Sequence, residues 1–259
     1  MSYLIGTMDT MPKLIFFDLD GTLSVSKRPL TDGMAGLVAQ LLERTRVAVI
    51  SGGALPQFLE QVVSRLPAGT NVSNLYLLPT SGAALYEYQA GAWQRVYEEL
   101  IPETDAAKIV LAAQGGAEAT GLIDFGAPAQ GERIEYRGSQ VTLSALGQQA
   151  SAEEKALWDP DKSKRLAIRE EIQHRLPEGY SAAMGGLTSI DITKNGVDKA
   201  YGIRQLCAHL NIPESDVLYV GDQLVPGGND EAALNTGAAT KSVSSPADTA
   251  HVMSSLLGE

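Results

Sequence analysis

The stretch Phe16-Phe17-Asp18-Leu19-Asp20-Gly21-Thr22-Leu23 decides the fold, because it closes an apolar run with two carboxylates and opens onto a glycine. Residues 14–17 form a continuous apolar segment of the kind that makes a buried parallel strand, and Gly21-Thr22 lets the backbone turn off its end. Asp18 and Asp20 then stand at the carboxyl end of a strand. In open α/β sheets that rim is where ligands bind, and alternation along a strand points both carboxylates the same way. Such a pair divides labour: one carboxylate attacks a phosphorus while the other handles the proton of the leaving or entering oxygen. The competing reading is an Asx-type turn, in which an Asp before a glycine only closes the backbone.

The residues downstream extend the same sheet. Residues 30–44 place Met34, Leu37, Val38, Leu41 and Leu42 at helical spacing, and residues 47–50 form the next strand, so the chain begins as a parallel, doubly wound α/β sheet. That strand runs into Ser51-Gly52-Gly53 and then a helix carrying Leu55, Phe58, Leu59, Val62 and Leu66 on one face. Ser51 is read either as a plain N-cap or as a hydroxyl that, with free backbone N–H groups, holds a phosphoryl oxygen. Residues 75–78 read as a further strand. From about residue 88 to 186 the pattern changes: alternating segments at 93–97, 132–136 and 140–146 are mixed with helical stretches at 103–119 and 163–176. The expectation is an α+β cap inserted into the sheet domain, with core at 1–87, cap at 88–187 and core again at 188–259. Gly115-Gly116 and residues 126–131 read as loops between cap elements.

Past the cap, Asp198 is placed to cap a helix that begins with Lys199, and residues 217–220 form a strand ending in Gly221-Asp222. A third acidic strand end facing the rim of Asp18, followed by Asn229-Asp230, makes an oxygen-rich site for a hard divalent cation that keeps several waters, which suits Mg²⁺. The expected metal set is Asp18, Asp20, Asp222, Asn229 and Asp230.

Composition narrows the class. The chain has 259 residues, 44% of them hydrophobic, which is enough for one core plus a smaller appended unit. A formal net charge of −11 argues against nucleic acid or an anionic membrane as partner, so cations for any phosphate must be gathered locally. The single cysteine, Cys207, allows no internal disulfide and fits a reducing compartment, and the first ten residues lack the basic start and apolar body of a signal peptide. A cytoplasmic protein is expected, with Met1, Met8 and Met11 all possible starts. His174, His209 and His251 are scattered and make no zinc site.

The string DxDGT after an apolar strand, with Ser51, Lys199 and Gly221-Asp222 in that order, resembles the motif set of the haloacid dehalogenase-like (HAD) superfamily, a Rossmann-like core with an inserted cap. Within it, Ile134-Glu135-Tyr136-Arg137-Gly138, Val141 to Gln148, Ala152-Glu153-Glu154-Lys155, Gly185 to Asp191 and Gly221 to Asp230 resemble the eukaryotic-type phosphomannomutases. The resemblance implies that Asp18 takes and returns the phosphoryl group of a hexose phosphate and that Asp20 serves as acid and base. Ser51, Lys199 and Mg²⁺ would neutralise the phosphoryl oxygens. Arg137 would hold the distal phosphate, Ser189 and Asp191 the sugar hydroxyls, and Arg28 or Lys27 stands where the family has a core arginine. It also implies a hexose 1,6-bisphosphate activator and pairing of two copies through the cap. Gln148 and Lys155 stand where the family has arginines, so a cationic fork becomes a neutral donor and a point charge. That departure keeps open a sugar-phosphate phosphatase with the same nucleophile. A non-catalytic phosphosugar-binding protein is the third reading.

Overall fold

The structure, a computed structural model, describes residues 11–258. Met1, Met8 and the reading of the first ten residues lie outside the described residues.

Five parallel strands build the core sheet: β1 (Leu14–Asp18), β2 (Arg46–Ile50), β3 (Leu75–Leu78), β10 (Val217–Gly221) and β11 (Ala239–Ser242). A hairpin, β4 (Ala84–Gln89) and β5 (Ala92–Glu98), adds two antiparallel strands at one edge, giving the order β11-β10-β1-β2-β3-β4-β5. Every residue of β1 is buried, because both faces are covered. Ile15 and Phe17 pack with α1 (Asp32–Leu42), α2 (Leu55–Gln61) and α7 (Pro246–Leu257), while Leu14 and Phe16 pack with α6 (Lys199–Leu210) on the other side. Alternation along one strand thus feeds two cores.

The second sheet is antiparallel throughout, in the order β6-β7-β9-β8, from β6 (Ile134–Tyr136), β7 (Val141–Ser144), β8 (Tyr180–Met184) and β9 (Ser189–Lys194). Helices α3 (Glu103–Thr120) and α5 (Ser163–Gln173) bury Ile109, Ile168 and Ile172 against Leu143, Ile190 and Ile192 on one face. A short helix, α4 (Ala152–Trp158), follows β7. Among the described residues no helix is long and apolar enough to cross a membrane.

The sheet membership corrects both expected boundaries. Residues 93–97, read as cap, form β5 and hydrogen-bond to β4 in the core sheet. Ala90 and Gly91 make this possible: both have positive φ, 52° and 85°, the backbone of a two-residue turn that folds a strand straight back on its neighbour. Residues 189–194, read as the return to the core, form β9 between β7 and β8. Here Ile190 and Ile192 point to the helices and Asp191 to the other face, the alternation of an antiparallel strand. The chain therefore passes between the sheets near residues 99–101 and 195–198. Gly115 and Gly116 are not a loop but lie inside α3. A Cβ on Gly116 would stand 2.7 Å from Ile172 Cγ1 and 2.8 Å from Ile172 Cα, so the glycine lets α5 cross α3 closely. Finally, α2 ends at Gln61, and Val63–Arg65 is a 3₁₀ turn where one helix was expected to reach Leu66.

Candidate active site

The carboxyl ends of β1, β2 and β10 face the polar side of the second sheet across a cavity of about 610 Å³. Asp18, the last residue of β1, is fully buried below it. Lys199, the first residue of α6, reaches across from the cap formed by Asp198, whose side chain accepts from Tyr201 N at 2.9 Å. Its Nζ lies 2.5 Å from Asp18 Oδ1 and 2.6 Å from Asp230 Oδ1. Burial alone pulls the Lys199 ammonium down, yet the two carboxylates outweigh it and hold its pKa above the ordinary lysine value. Asp230 is further held by Tyr219 Oη and by Gln223 N, at 2.5 and 2.9 Å, and the Lys199 charge keeps it ionised below the usual carboxylate range in spite of burial. Asp18 is pushed the other way: burial, then the neighbouring Asp230 and Asp222, exceed the attraction of Lys199 and raise it.

Asp18, Asp222 and Asp230 each place a carboxylate oxygen within 4.8 Å of the others. With Lys199 they make three carboxylates and one ammonium, a formal charge of two negative units when all three carboxyls are ionised, which burial and their mutual repulsion oppose and a bound cation would favour. Asp18 Oδ2 and Asn229 Oδ1 are buried with no hydrogen-bond partner among the described residues. Orphaned oxygens beside an excess of two negative charges are the donor set of a hard divalent cation. Asp222 is pressed against Gly21, where a Cβ would lie 2.6 Å from Asp222 Oδ2 and the backbone has φ 93°, so only glycine fits that turn. Asp20 does not join this cluster. It lies past the end of β1, where its Oδ1 accepts from Lys27 N at 2.6 Å and its Oδ2 from Gln57 Nε2 at 3.4 Å, and it lines the cavity. The turn that brings Lys27 N onto its carboxylate holds that group towards the cleft, apart from the three carboxylates that cluster.

Ser51 is no helix cap, since α2 starts at Leu55 behind Ala54, which makes no side-chain cap bond. Its Oγ instead accepts from Gly53 N at 3.4 Å, and the residue lines the cavity at the end of β2.

On the opposite wall the expected sugar and phosphate contacts converge, with one exception. Arg28 is exposed and does not line the cavity, whereas Lys27 does. Lys27 Nζ donates to Gln148 O at 2.6 Å and Gln148 Oε1 at 2.8 Å, and Lys155 Nζ from α4 donates to the same carbonyl at 3.1 Å. Desolvation in the cleft, then Lys155 and Arg137, bring the Lys27 ammonium down to about 8, and burial lowers Lys155 as well. Gln148 Nε2 is buried beside these two ammoniums and has no partner among the described residues. Two crowded cations and an idle donor are groups that could hold an anion. Arg137 lines the cavity but is partly engaged: Nε and Nη2 donate to Glu135 Oε2, and Nη1 to Gly52 O at 2.6 Å. Asp191 is buried, accepts from Thr142 Oγ1 at 2.8 Å and is raised by burial; Ser189 lines the cavity beside it. Arg133 points elsewhere, with its guanidinium over the Phe125 ring at 5.4 Å.

Two residues on this wall were not singled out from sequence, Lys162 and Arg165. Lys162 is the last residue of the turn between α4 and α5, and Arg165 lies in the first turn of α5. Ser151 and Glu154, three apart, form a capping box that starts α4. Arg165 is buried against Asp159 at 2.7 Å and donates to Gly186 O, supporting the turn that leads to Ser189.

Known proteins match this architecture. A relative described as "Probable phosphomannomutase" from Caenorhabditis elegans is 25% identical over 262 residues, covering 95% of this chain and 96% of its own. The phosphomannomutase of Encephalitozoon cuniculi is 28% identical over 236 residues, 86% of this chain and 85% of its own. Among solved structures, Plasmodium falciparum IMP-nucleotidase superposes with a TM-score of 0.69 at 19% identity, over 95% of this chain and 62% of that one. A haloacid dehalogenase-like hydrolase from Bacteroides thetaiotaomicron does so at 0.61 and 13% identity, over 95% and 99% of the two chains. At these identities the solved structures show the fold alone, a mostly parallel core sheet with a second antiparallel sheet. The profile of the family described as "Eukaryotic phosphomannomutase" matches residues 34–259, and this chain belongs to that family.

Proposed function

We propose that this enzyme is a Mg²⁺-dependent phosphohexomutase of phosphomannomutase type, moving a phosphoryl group between two positions of a hexose through Asp18. The observation that carries this reading is Lys199 bound between Asp18 Oδ1 and Asp230 Oδ1, which leaves Asp18 Oδ2 without a partner in a site with two surplus negative charges. Asp18, Asp222 and Asn229 would hold Mg²⁺, which when bound supplies charge neutralisation at the transferring phosphoryl oxygens.

The remaining steps belong to the chain's own side chains. A phosphoryl group carried on Asp18 is attacked by the free hydroxyl of a hexose monophosphate while Asp20 takes that hydroxyl's proton, which frees Asp18 and leaves a hexose bisphosphate. After the bisphosphate turns round, Asp18 attacks the other phosphorus, the bond from that phosphorus to the sugar oxygen breaks, and Asp20 gives that oxygen the proton, leaving the isomeric monophosphate and the group back on Asp18. Lys199 and Ser51 offset charge on the equatorial oxygens throughout. Lys27, Lys155, Gln148 and Arg137 hold whichever phosphate is not reacting, while Ser189 and Asp191 accept or donate to sugar hydroxyls.

A second reading, a sugar-phosphate phosphatase, is favoured by one feature. Arg137 already spends part of its fork on Glu135 and Gly52, and no second arginine stands at Gln148 or Lys155, so the hold on a turning bisphosphate rests on two lysines. The two outcomes separate by ³¹P NMR with Mg²⁺, mannose 1-phosphate and a trace of hexose 1,6-bisphosphate as activator. Formation of the 6-phosphate supports the mutase. Inorganic phosphate as the only product would assign the phosphatase.

A further inference from the structure

Lys162 stands in the turn before α5 with a left-handed backbone, φ 66°, a conformation that lysine adopts rarely. Its position puts Nζ across the cleft from the second sheet's side to the core, where it donates to Gln223 Oε1 at 3.1 Å. An ammonium only donates, so this contact fixes which end of the amide faces which neighbour. Gln223 Nε2 is thereby turned to Asp222 and donates to its Oδ2 at 3.0 Å. Thr22 Oγ1 meets the other oxygen of Asp222 at 3.3 Å, and the backbone N–H of Gln223 donates to Asp230 Oδ2. One side chain of the cap thus reaches, through one amide, the acidic cluster at the end of β10.

The geometry points to Lys162 as a positioning residue: with the cap shut it orients Gln223 and so aligns Asp222 for the divalent cation. Resting on the function proposed above, this couples two ligands. A sugar phosphate that bridges Lys155 and Lys27 also holds Lys162 on Gln223, so it tightens metal binding, and by linkage the metal tightens sugar-phosphate binding by the same factor. The competing role for Lys162, which lines the cavity, is direct contact with the substrate. The two differ in one respect: a relay fails equally when either Lys162 or Gln223 loses its polar end.

The test is a Mn²⁺ titration followed by the free-ion EPR signal, with and without a non-transferable phosphonate analogue of mannose 1-phosphate, on the intact protein and on Lys162→Met, Lys162→Arg and Gln223→Met. The analogue is expected to tighten Mn²⁺ binding by about five-fold or more in the unaltered protein, the lower end of ordinary coupling between sites. Lys162→Met and Gln223→Met each abolish most of that tightening, Lys162→Arg keeps it, and Lys162→Met lowers Mn²⁺ affinity far less without the analogue than with it. A structural role for Lys162 would not separate these two affinities. Full tightening in Lys162→Met, or its loss there with retention in Gln223→Met, overturns the relay and leaves the proposed function standing. Failure of the unaltered protein to bind Mn²⁺ overturns both.

Discussion

Lys199 Nζ sits between two carboxylates, 2.5 Å from Asp18 Oδ1 and 2.6 Å from Asp230 Oδ1, and so ties the end of β1 to the loop after β10 through the first residue of α6. Three segments far apart in sequence meet at one ammonium. Its removal leaves two buried carboxylates facing each other. Lys199→Met is expected to destabilise the fold by about 3 to 5 kcal/mol, the range for breaking a buried ion pair. Phosphoryl transfer should fall by roughly 10² to 10³, the effect of deleting one charge-stabilising group. Denaturant melts and single-turnover rates check the two separately.

Metal removal tests the surplus charge directly. Mg²⁺ is expected to raise Tm, with stabilisation of about 2.7 kcal/mol at a hundred-fold excess over Kd, and chelator should reverse it. In Asp222→Ala the increment should largely disappear, because a cation facing the orphaned Asp18 Oδ2 would lose the Asp222 carboxylate from the cluster.

Lys27 makes phosphate binding sensitive to alkali. The free-state ammonium titrates at about 8, and a bound phosphate raises that value. Its contribution is therefore complete below about 8 and is lost as pH climbs through and beyond it, with Lys155, also lowered, adding to the same fall. Calorimetric affinity for a hexose phosphate should decline across that range. Lys27→Met should flatten the profile, and Lys27→Arg should carry high affinity to higher pH.

Gln148 Nε2 is buried without a partner among the described residues, an arrangement that burdens the fold. Gln148→Leu should leave stability unchanged or raise it by about 1 kcal/mol, while KM for the hexose phosphate rises roughly ten-fold for one lost hydrogen bond to a charged group. Loss of stability together with unchanged KM would mean that the amide serves the fold.

Gly116→Ala addresses packing alone. The added Cβ would meet Ile172 backbone and side chain at 2.7 to 2.8 Å, so overpacking should cost about 1 to 3 kcal/mol. The chemistry lies elsewhere, and KM should not move.

The candidate residues were legible from local pattern: Asp18, Ser51 and Asp222 stand where buried apolar runs stop, and Lys199 opens a helix behind the cap residue Asp198, while the roles given to them came from the family resemblance. What failed were distinctions that depend on partners distant in sequence. Residues 93–97 and 189–194 alternate as strands do, but alternation does not say which sheet a strand joins. Gly115-Gly116 has the composition of a loop, and only the approach of Ile172 from α5 explains it inside a helix. The choice between Lys27 and Arg28 turned on the backbone at Lys27, whose φ of 56° swings its side chain to Gln148 and leaves Arg28 outside. Lys162 gave no signal at all, since its partner Gln223 lies on the other unit, 61 residues on.

The central claim is that Asp18 carries the phosphoryl group, and the most direct measurement is intact-protein mass spectrometry after brief incubation with Mg²⁺ and hexose 1,6-bisphosphate, quenched in acid. The expected result is one added phosphoryl group, absent in Asp18→Asn, labile to hydroxylamine as an acyl phosphate is, and mapped by peptide to residues 14–27. A protein that turns over hexose phosphate yet never carries the group, or carries it equally in Asp18→Asn, would contradict it.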